Sequence, residues 1–350
     1  MSRLMSRLTV VAAGLGLLGA PFGAGAEVEV APDLRVEVVV VGIPRPVQLA
    51  LEDAARLVVL SHGWRGDAAA EVYRLDLAAF PLDASRAPRA VIPFSDSPRK
   101  VAFGSLALDP RSGDVLLGEE NGNRVYRMDP AGTLEMFGVG LNHLLGGSSL
   151  AFDRDGRLIV LDYASPEVQQ RSETPLPHNF DRLGGSIYHG PVVVRLDPRE
   201  DVPLPRRLDL IVPILPAHSV HPIGVEPLFR FISVTTTASG AVVLLDSTGA
   251  LLVLEPDGLL RHLARLPSGH YHRTHMAMGP DGSVFVSSGF QIRQIFRVSP
   301  AGVITVVARN LGDPEGIAVD DAGDLYVAEN ALHRIIRIGP AITPPPASRR

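Results

Sequence analysis

Short runs of alternating or wholly apolar residues, each cut off by glycine, aspartate or proline, recur from about residue 35 to the end of the chain. The sharpest copy is Pro314-Glu-Gly-Ile-Ala-Val-Asp-Asp-Ala-Gly-Asp-Leu-Tyr-Val-Ala-Glu-Asn330, followed by His333-Arg-Ile-Ile-Arg-Ile338. It reads as strand, tight Asp/Gly turn, strand, loop, strand. The turn at Gly323 has counterparts at Gly282, Gly240, Gly156 and Gly113, and a worn copy from Leu49 to Val59 puts Ala55 in the glycine's place. Six units follow from this count. A second marker, the expected hairpin between third and fourth strands, falls at Asp129-Pro130, Asp197-Pro198, Glu255-Pro256, Ser299-Pro300 and Gly339-Pro340, and more weakly near Asp76. The two marker sets alternate one for one, so the double spacing between Gly156 and Gly240 predicts insertion within and just after the third unit, not a seventh unit.

Small sheets of this kind expose faces and edges unless neighbours cover them, so a fixed repeat of four strands predicts blades ringing a channel. The expected fold is therefore all-β, a six-bladed β-propeller of four-stranded blades. The last blade lacks a fourth strand of its own, because only Pro344, Pro345, Pro346 and a short arginine tail follow Pro340. Arg35 to Gly42 aligns with Gly302 to Ala308, the fourth strand of blade 5, and is expected to complete blade 6 and close the ring. Residues 27–340 are assigned to this single domain, with an insertion at about 163–188 in blade 3. Residues 341–350 are read as a disordered Pro/Arg tail.

Ahead of the repeat, Arg3 and Arg7 precede an apolar run from Leu8 to Ala20, with small residues at Ala24, Gly25 and Ala26. That is the layout of a secretory signal peptide over residues 1–26, cleaved after Ala26. Export to the periplasm or the medium is the expectation, without a membrane span, since no later stretch reaches about 18 apolar residues. There is no cysteine, so no disulfide supports the fold. The formal charge of −5 becomes −7 once Arg3 and Arg7 are removed, which argues against nucleic acid or an anionic membrane as partner. The mature chain is expected to be a monomer.

The acid and arginine after the second strand give the chain its resemblance to the NHL-repeat propellers. Glu329 to Ile335 follows the NHL pattern except that Leu332 replaces an asparagine; Glu119 to Val125 keeps the acid and Arg124, and Ser288 to Gln294 keeps Arg293. The wider superfamily includes gluconolactonases and peptidyl-hydroxyglycine lyases. The resemblance to gluconolactonases implies a catalytic calcium held by Glu, Asn and Asp at positions that here read Val47, Gly104, Ser148, Ile232, Thr274 and Glu315. One acid in six cannot satisfy that ion, which counts against a lactonase of this type.

In a propeller the loops from second to third strand and those from blade to blade open on one face. Ten of the eleven histidines map there, and only His262 falls elsewhere, in a fourth strand. The segments His270-Tyr-His272-Arg-Thr-His275 and His218-Ser-Val-His221 are the sharpest pieces: His270 and His272 share a face if extended, and with His218, His221 and His275 they form a candidate zinc site. A second candidate, for calcium, is the ring of second-strand ends at Ser61, Glu119, Asp162, Asp246, Ser288 and Glu329, although acids there more often brace the following loop. Trp64, Arg65, His143 and His178 are candidate ligand contacts on the same face, and the insertion around His178 is a candidate lid. Two readings stay open: a ligand- or protein-binding propeller, and a metal-assisted lyase or hydrolase resembling the peptidyl-hydroxyglycine lyases, with Glu315 and Tyr271 as proton-transfer groups. A structural envelope module is a third.

Overall fold

The computed structural model describes residues 27–62, 69–77, 81–92, 103–119, 124–141, 149–164, 190–215, 230–269, 271 and 273–340. They form six small sheets. The first strand of each blade lies innermost: Pro46–Asp53, Phe103–Leu108, Leu150–Phe152, Phe231–Thr236, Met276–Met278 and Pro314–Val319. Each packs on the first strand of the next, and Pro314–Val319 packs on Pro46–Asp53, which closes the ring. At that closure Gly316 is required by space: a Cβ there would lie 2.8 Å from Gln48 Cα and 2.9 Å from the Val47 carbonyl oxygen. The cores lie between neighbouring blades. Leu116, Phe137, Val160 and Val194, for example, bury together between blades 2 and 3.

The ring closes with the strand expected. Leu34–Val41 pairs antiparallel with Arg334–Pro340, from Leu34 opposite Pro340 to Val41 opposite Arg334. A shorter strand, Glu29–Val30, pairs with Ile304–Arg309 on the outer edge of blade 5, so the N-terminal segment links the last two blades.

Blade 3 departs from the four-stranded expectation. Among the described residues its sheet has three strands, Leu150–Phe152, Leu158–Ala164 and Gly190–Leu196, and its outer edge is met by a bridge between Val193 and Leu215. Asp197-Pro198 therefore starts no hairpin. The chain instead crosses to blade 2, where Arg206–Arg207 pairs parallel with Leu134–Val139. Arg206 fixes the crossing by donating to the carbonyls of Asp197, Pro198 and Glu200, with its guanidinium 5.1 Å from the centre of the Phe137 ring. Blade 1 uses the same device on blade 6: Leu82–Asp83 pairs parallel with Leu34–Val41. These straps cover sheet edges that would otherwise offer open backbone to another chain.

Candidate functional site at the upper channel mouth

The upper face, where blade entrances and second-to-third strand loops meet, carries all six non-glycine residues of positive φ among the described residues: Arg45, Arg273, Arg293, Asn310, Asp313 and His333. Side chains rarely adopt this conformation, and clusters of it mark places where surrounding structure enforces strain. Arg45 and Asp313 stand before prolines, which ordinarily hold the preceding residue extended. The local cause is a repeated clamp. Arg293 ends a short helical turn after the second strand of blade 5, and its Nε donates to the Leu311 carbonyl at 2.6 Å. His333 ends the matching turn in blade 6, and its Nδ1 accepts the Arg45 N–H at 3.0 Å. Each clamp holds the entrance to the next blade.

Three entrances are thereby brought together. Arg45 and Arg273 both lie close enough to Asp313 to favour its ionised form, yet burial outweighs them and pushes its carboxyl above the usual range. Glu315, 3% exposed, has Oε1 3.8 Å from Arg273 Nη1. Beside it, Ser287 ties blade 5 to blade 6: its hydroxyl accepts the His275 N–H at 2.8 Å and donates to the Glu315 carbonyl at 2.5 Å. His275 Nδ1 accepts the Ile317 N–H at 3.0 Å, so the imidazole is neutral with its proton on Nε2, and burial lowers its pKa to about 3. Gln48 Oε1, Ser233 Oγ and Thr274 Oγ1, at or next to the start of first strands, are buried and among the described residues have no partner. Such atoms are costly unless something satisfies them.

Of the residues singled out from sequence, Glu315 and His275 lie at this mouth. Tyr271 does not: it is buried between blades 4 and 5 against Gly249, its hydroxyl donates to the Pro267 carbonyl at 2.5 Å, and burial pushes the phenol up to about 12. Trp64, Arg65, His143, His178, His218, His221, His270 and His272 fall outside the described residues. Among the described residues no three His, Cys, Asp or Glu side chains are arranged to hold a metal. The second-strand ends behave as braces. Asp246 Oδ1 accepts the N–H groups of Thr248 and Ala250 at 2.8 and 2.9 Å, and Glu329 Oε1 accepts that of Gly312 at 2.7 Å while Oε2 pairs with Arg334. Sequence reading did not single out Arg45, Arg273 or Asp313. The available signal was a charged residue at the entrance to three of the blades, in Arg45-Pro46, Arg273-Thr274 and Asp313-Pro314.

The NHL repeat model matches residues 311–338, which cover the entrance and strands of blade 6. No curated protein sequence matches the chain. Solved structures that resemble it include a gluconolactonase from Xanthomonas campestris, at 16% identity and a TM-score of 0.55 over 89% of this chain and 91% of that one. The PQQ domain of pyranose dehydrogenase from Coprinopsis cinerea is similar at 12% identity and a TM-score of 0.56, over 92% and 98% of the two chains. Virginiamycin B lyase from Staphylococcus aureus is similar at 13% identity and a TM-score of 0.50, over 89% and 99%. At these identities the likeness is one of fold, whereas the activities named differ among the three. The chain is a six-bladed β-propeller that carries an NHL repeat at residues 311–338.

Proposed function

We propose that this is an exported propeller that binds a small polar molecule at its upper channel mouth, with Arg45, Arg273, Asp313 and Glu315 as recognition groups. The observation that carries the reading is the meeting of two arginines and an aspartate, all on strained left-handed backbone, above a buried Glu315. Such strain and an acid held against its desolvation cost are features of binding and catalytic sites rather than of turns. Arginine forks and carboxylates together suit a ligand rich in hydroxyl or carboxyl oxygens, which they contact in pairs.

The test is a thermal-shift screen of the mature chain against sugar acids, sugar lactones and amino acids, repeated on Arg273→Gln and Glu315→Gln. A saturable rise in Tm that both variants lose, from an unchanged ligand-free Tm, supports the reading. A rise that both variants keep places binding elsewhere and rejects it.

A metal-assisted lyase or hydrolase is the second reading. His275 is not available to it as a ligand, because Nδ1 accepts the Ile317 N–H and Nε2 carries the proton, so the metal would need other histidines. Elemental analysis of the purified protein decides: stoichiometric zinc or calcium, lost in His272→Ala, supports the enzyme, and metal-free folded protein removes it.

A further inference from the structure

Blade 6 takes its third and fourth strands from opposite ends of the chain, and its lower corner differs accordingly. In blades 2, 4 and 5 a tight turn covers that corner: the N–H groups of Asp129, Glu255 and Ser299 donate to the carbonyls of Thr133, Leu259 and Val303 at 3.0, 2.9 and 2.9 Å. In blade 6 Pro340, the end of one strand, stands opposite Leu34, the start of the other, and the corner is held by pairing alone. A cavity of about 430 Å³ lies there between blades 5 and 6, bordered by Ala31, Asp33 and Leu34 on one side and by the turn residues Pro280, Asp281 and Gly323 on the other. Its volume is within the range of about 300–1,000 Å³ typical of small-molecule sites.

Cross-strand register explains the lining. In blade 5 Phe285 lies opposite Arg297, which lies opposite Thr305, so the three side chains project from one face of the sheet. In blade 6 Leu325 lies opposite Ile338, which lies opposite Val36, two residues from Leu34. Phe285, Leu325 and Ile338 are buried in one cluster, with Leu34 and Val307 partly buried against it, whereas Arg297 and Thr305 are exposed. The cavity therefore has an apolar floor and a polar rim. The rim charges do not cancel. Arg297 Nε donates to Ser283 Oγ at 3.1 Å and its Nη2 pairs with Asp281, whose carboxyl stays ionised down to about pH 2. Asp33, the remaining charged residue of the lining, has neither a hydrogen bond nor an ion pair on its carboxylate among the described residues. Its neighbour Arg35 donates to the Pro32 and Leu34 carbonyls instead. One net negative charge thus borders an apolar hollow.

We propose that this cavity binds a small organic monocation with a compact hydrocarbon body, such as a primary amine on a branched or cyclic alkyl group. The hydrocarbon fills the hollow above Phe285, Leu325 and Ile338, against Leu34 and Val307, and the ammonium group pairs with Asp33. A neutral molecule gains the first contact without the second, and a carboxylate is repelled by Asp33. Because the ligand touches both blades and the strand that closes the ring, its binding also raises Tm. The site lies on the face away from Arg45 and Asp313 and shares no residue with the upper mouth, so the two readings fail independently.

The experiment is isothermal titration of the mature chain at low ionic strength with cyclohexylmethylamine, with cyclohexylmethanol and cyclohexanecarboxylate as neutral and anionic controls and ethylamine as little more than the head group. The amine is expected to bind saturably, about threefold more tightly than the alcohol and about tenfold more tightly than the carboxylate. Ethylamine should show no measurable binding, since each buried methylene contributes about fourfold. Asp33→Asn should erase the preference for the amine over the alcohol and leave the ligand-free Tm unchanged. Val307→Trp, which fills the cavity, should abolish binding of both; should it fail to fold, Asp33→Asn decides, because its readout is a ratio of two ligands on one protein. A chain ending at Pro340 should keep the affinity of the full chain. Absence of saturable amine binding, a preference kept in Asp33→Asn, or an unchanged affinity in Val307→Trp would each overturn the proposal. Binding that appears only once residues 341–350 are removed would give the cavity to the chain's own following segment and overturn it as well.

Discussion

The two faces of the ring treat their acids in opposite ways. On the lower face the aspartates build turns: Asp153 Oδ1 accepts the N–H groups of Asp155 and Arg157, both at 2.9 Å, and Asp320 Oδ1 accepts those of Ala322 and Asp324 at 3.0 and 2.8 Å. Asp281 accepts the Ser283 N–H at 3.0 Å and pairs with Arg297, and these contacts, the backbone bond first, bring its carboxyl down to about 2. On the upper face Asp313 is pushed the other way by burial. An acid whose surroundings favour its charge contributes to the fold, whereas one held against its desolvation cost needs another reason to be there.

Glu329 sharpens this comparison because it lies on the upper face yet behaves like the lower-face acids. It is fully buried, with one oxygen on the Gly312 N–H and the other on Arg334. Glu329→Ala leaves Arg334 and that amide without their partner, and breaking a buried pair of this kind costs about 3–5 kcal/mol. Urea unfolding should show this as a lower midpoint with an unchanged slope. A loss under about 1 kcal/mol would mean that Glu329 is not a structural acid despite its contacts.

The fold was readable in the sequence because each blade repeats its instructions locally. Turn glycines at Gly113, Gly156, Gly240, Gly282 and Gly323 all take positive φ, and Arg35 to Gly42 had the apolar pattern of the missing strand. Blade 3 was misread for the converse reason. Asp197-Pro198 has a turn signal, but the course of the chain beyond it is decided by the long-range pairing of Arg206–Arg207 with blade 2, and that pairing has no local signature. His262, placed in a fourth strand from sequence, lies in Leu260–Arg265, and His62, His275 and His333 lie on the upper face as sorted. The site was only half legible. Glu315 stood out as the one acid at its position, whereas Arg45 and Asp313 draw their significance from left-handed backbone and from neighbours on other blades.

Asp281→Asn tests the lower-face half of the comparison at a smaller scale. A carboxyl whose folded pKa lies near 2, below its ordinary 3.8, contributes stability that is present above pH 3.8 and is lost as pH falls through about 2. The side chain is 47% exposed, so solvent screening reduces the contribution to about 1 kcal/mol. The variant should unfold earlier than the wild type at pH 7 by that amount, and the two denaturation curves should converge near pH 2. A gap that persists undiminished at low pH would assign the effect to the neutral hydrogen bonds rather than to the charge.

Asp313→Asn should give the smallest change, and one of the opposite sign. Because the folded pKa is raised above 3.8, the folded state favours the protonated form; the stability this confers is full below pH 3.8 and is lost as pH rises through the folded value. Asparagine resembles the protonated acid and removes that loss, but it also forfeits the attraction of Arg273 and Arg45, which works against burial. The balance at pH 7 should therefore be neutral to slightly stabilising, under about 0.5 kcal/mol, and below pH 3.8 the variant and the wild type should coincide. If Asp313→Asn instead destabilises at pH 7 as much as Asp281→Asn does, the two arginines outweigh burial, and Asp313 belongs with the structural acids. If it stabilises, the charge at the upper mouth is kept at the expense of the fold, and its use lies in what the mouth binds.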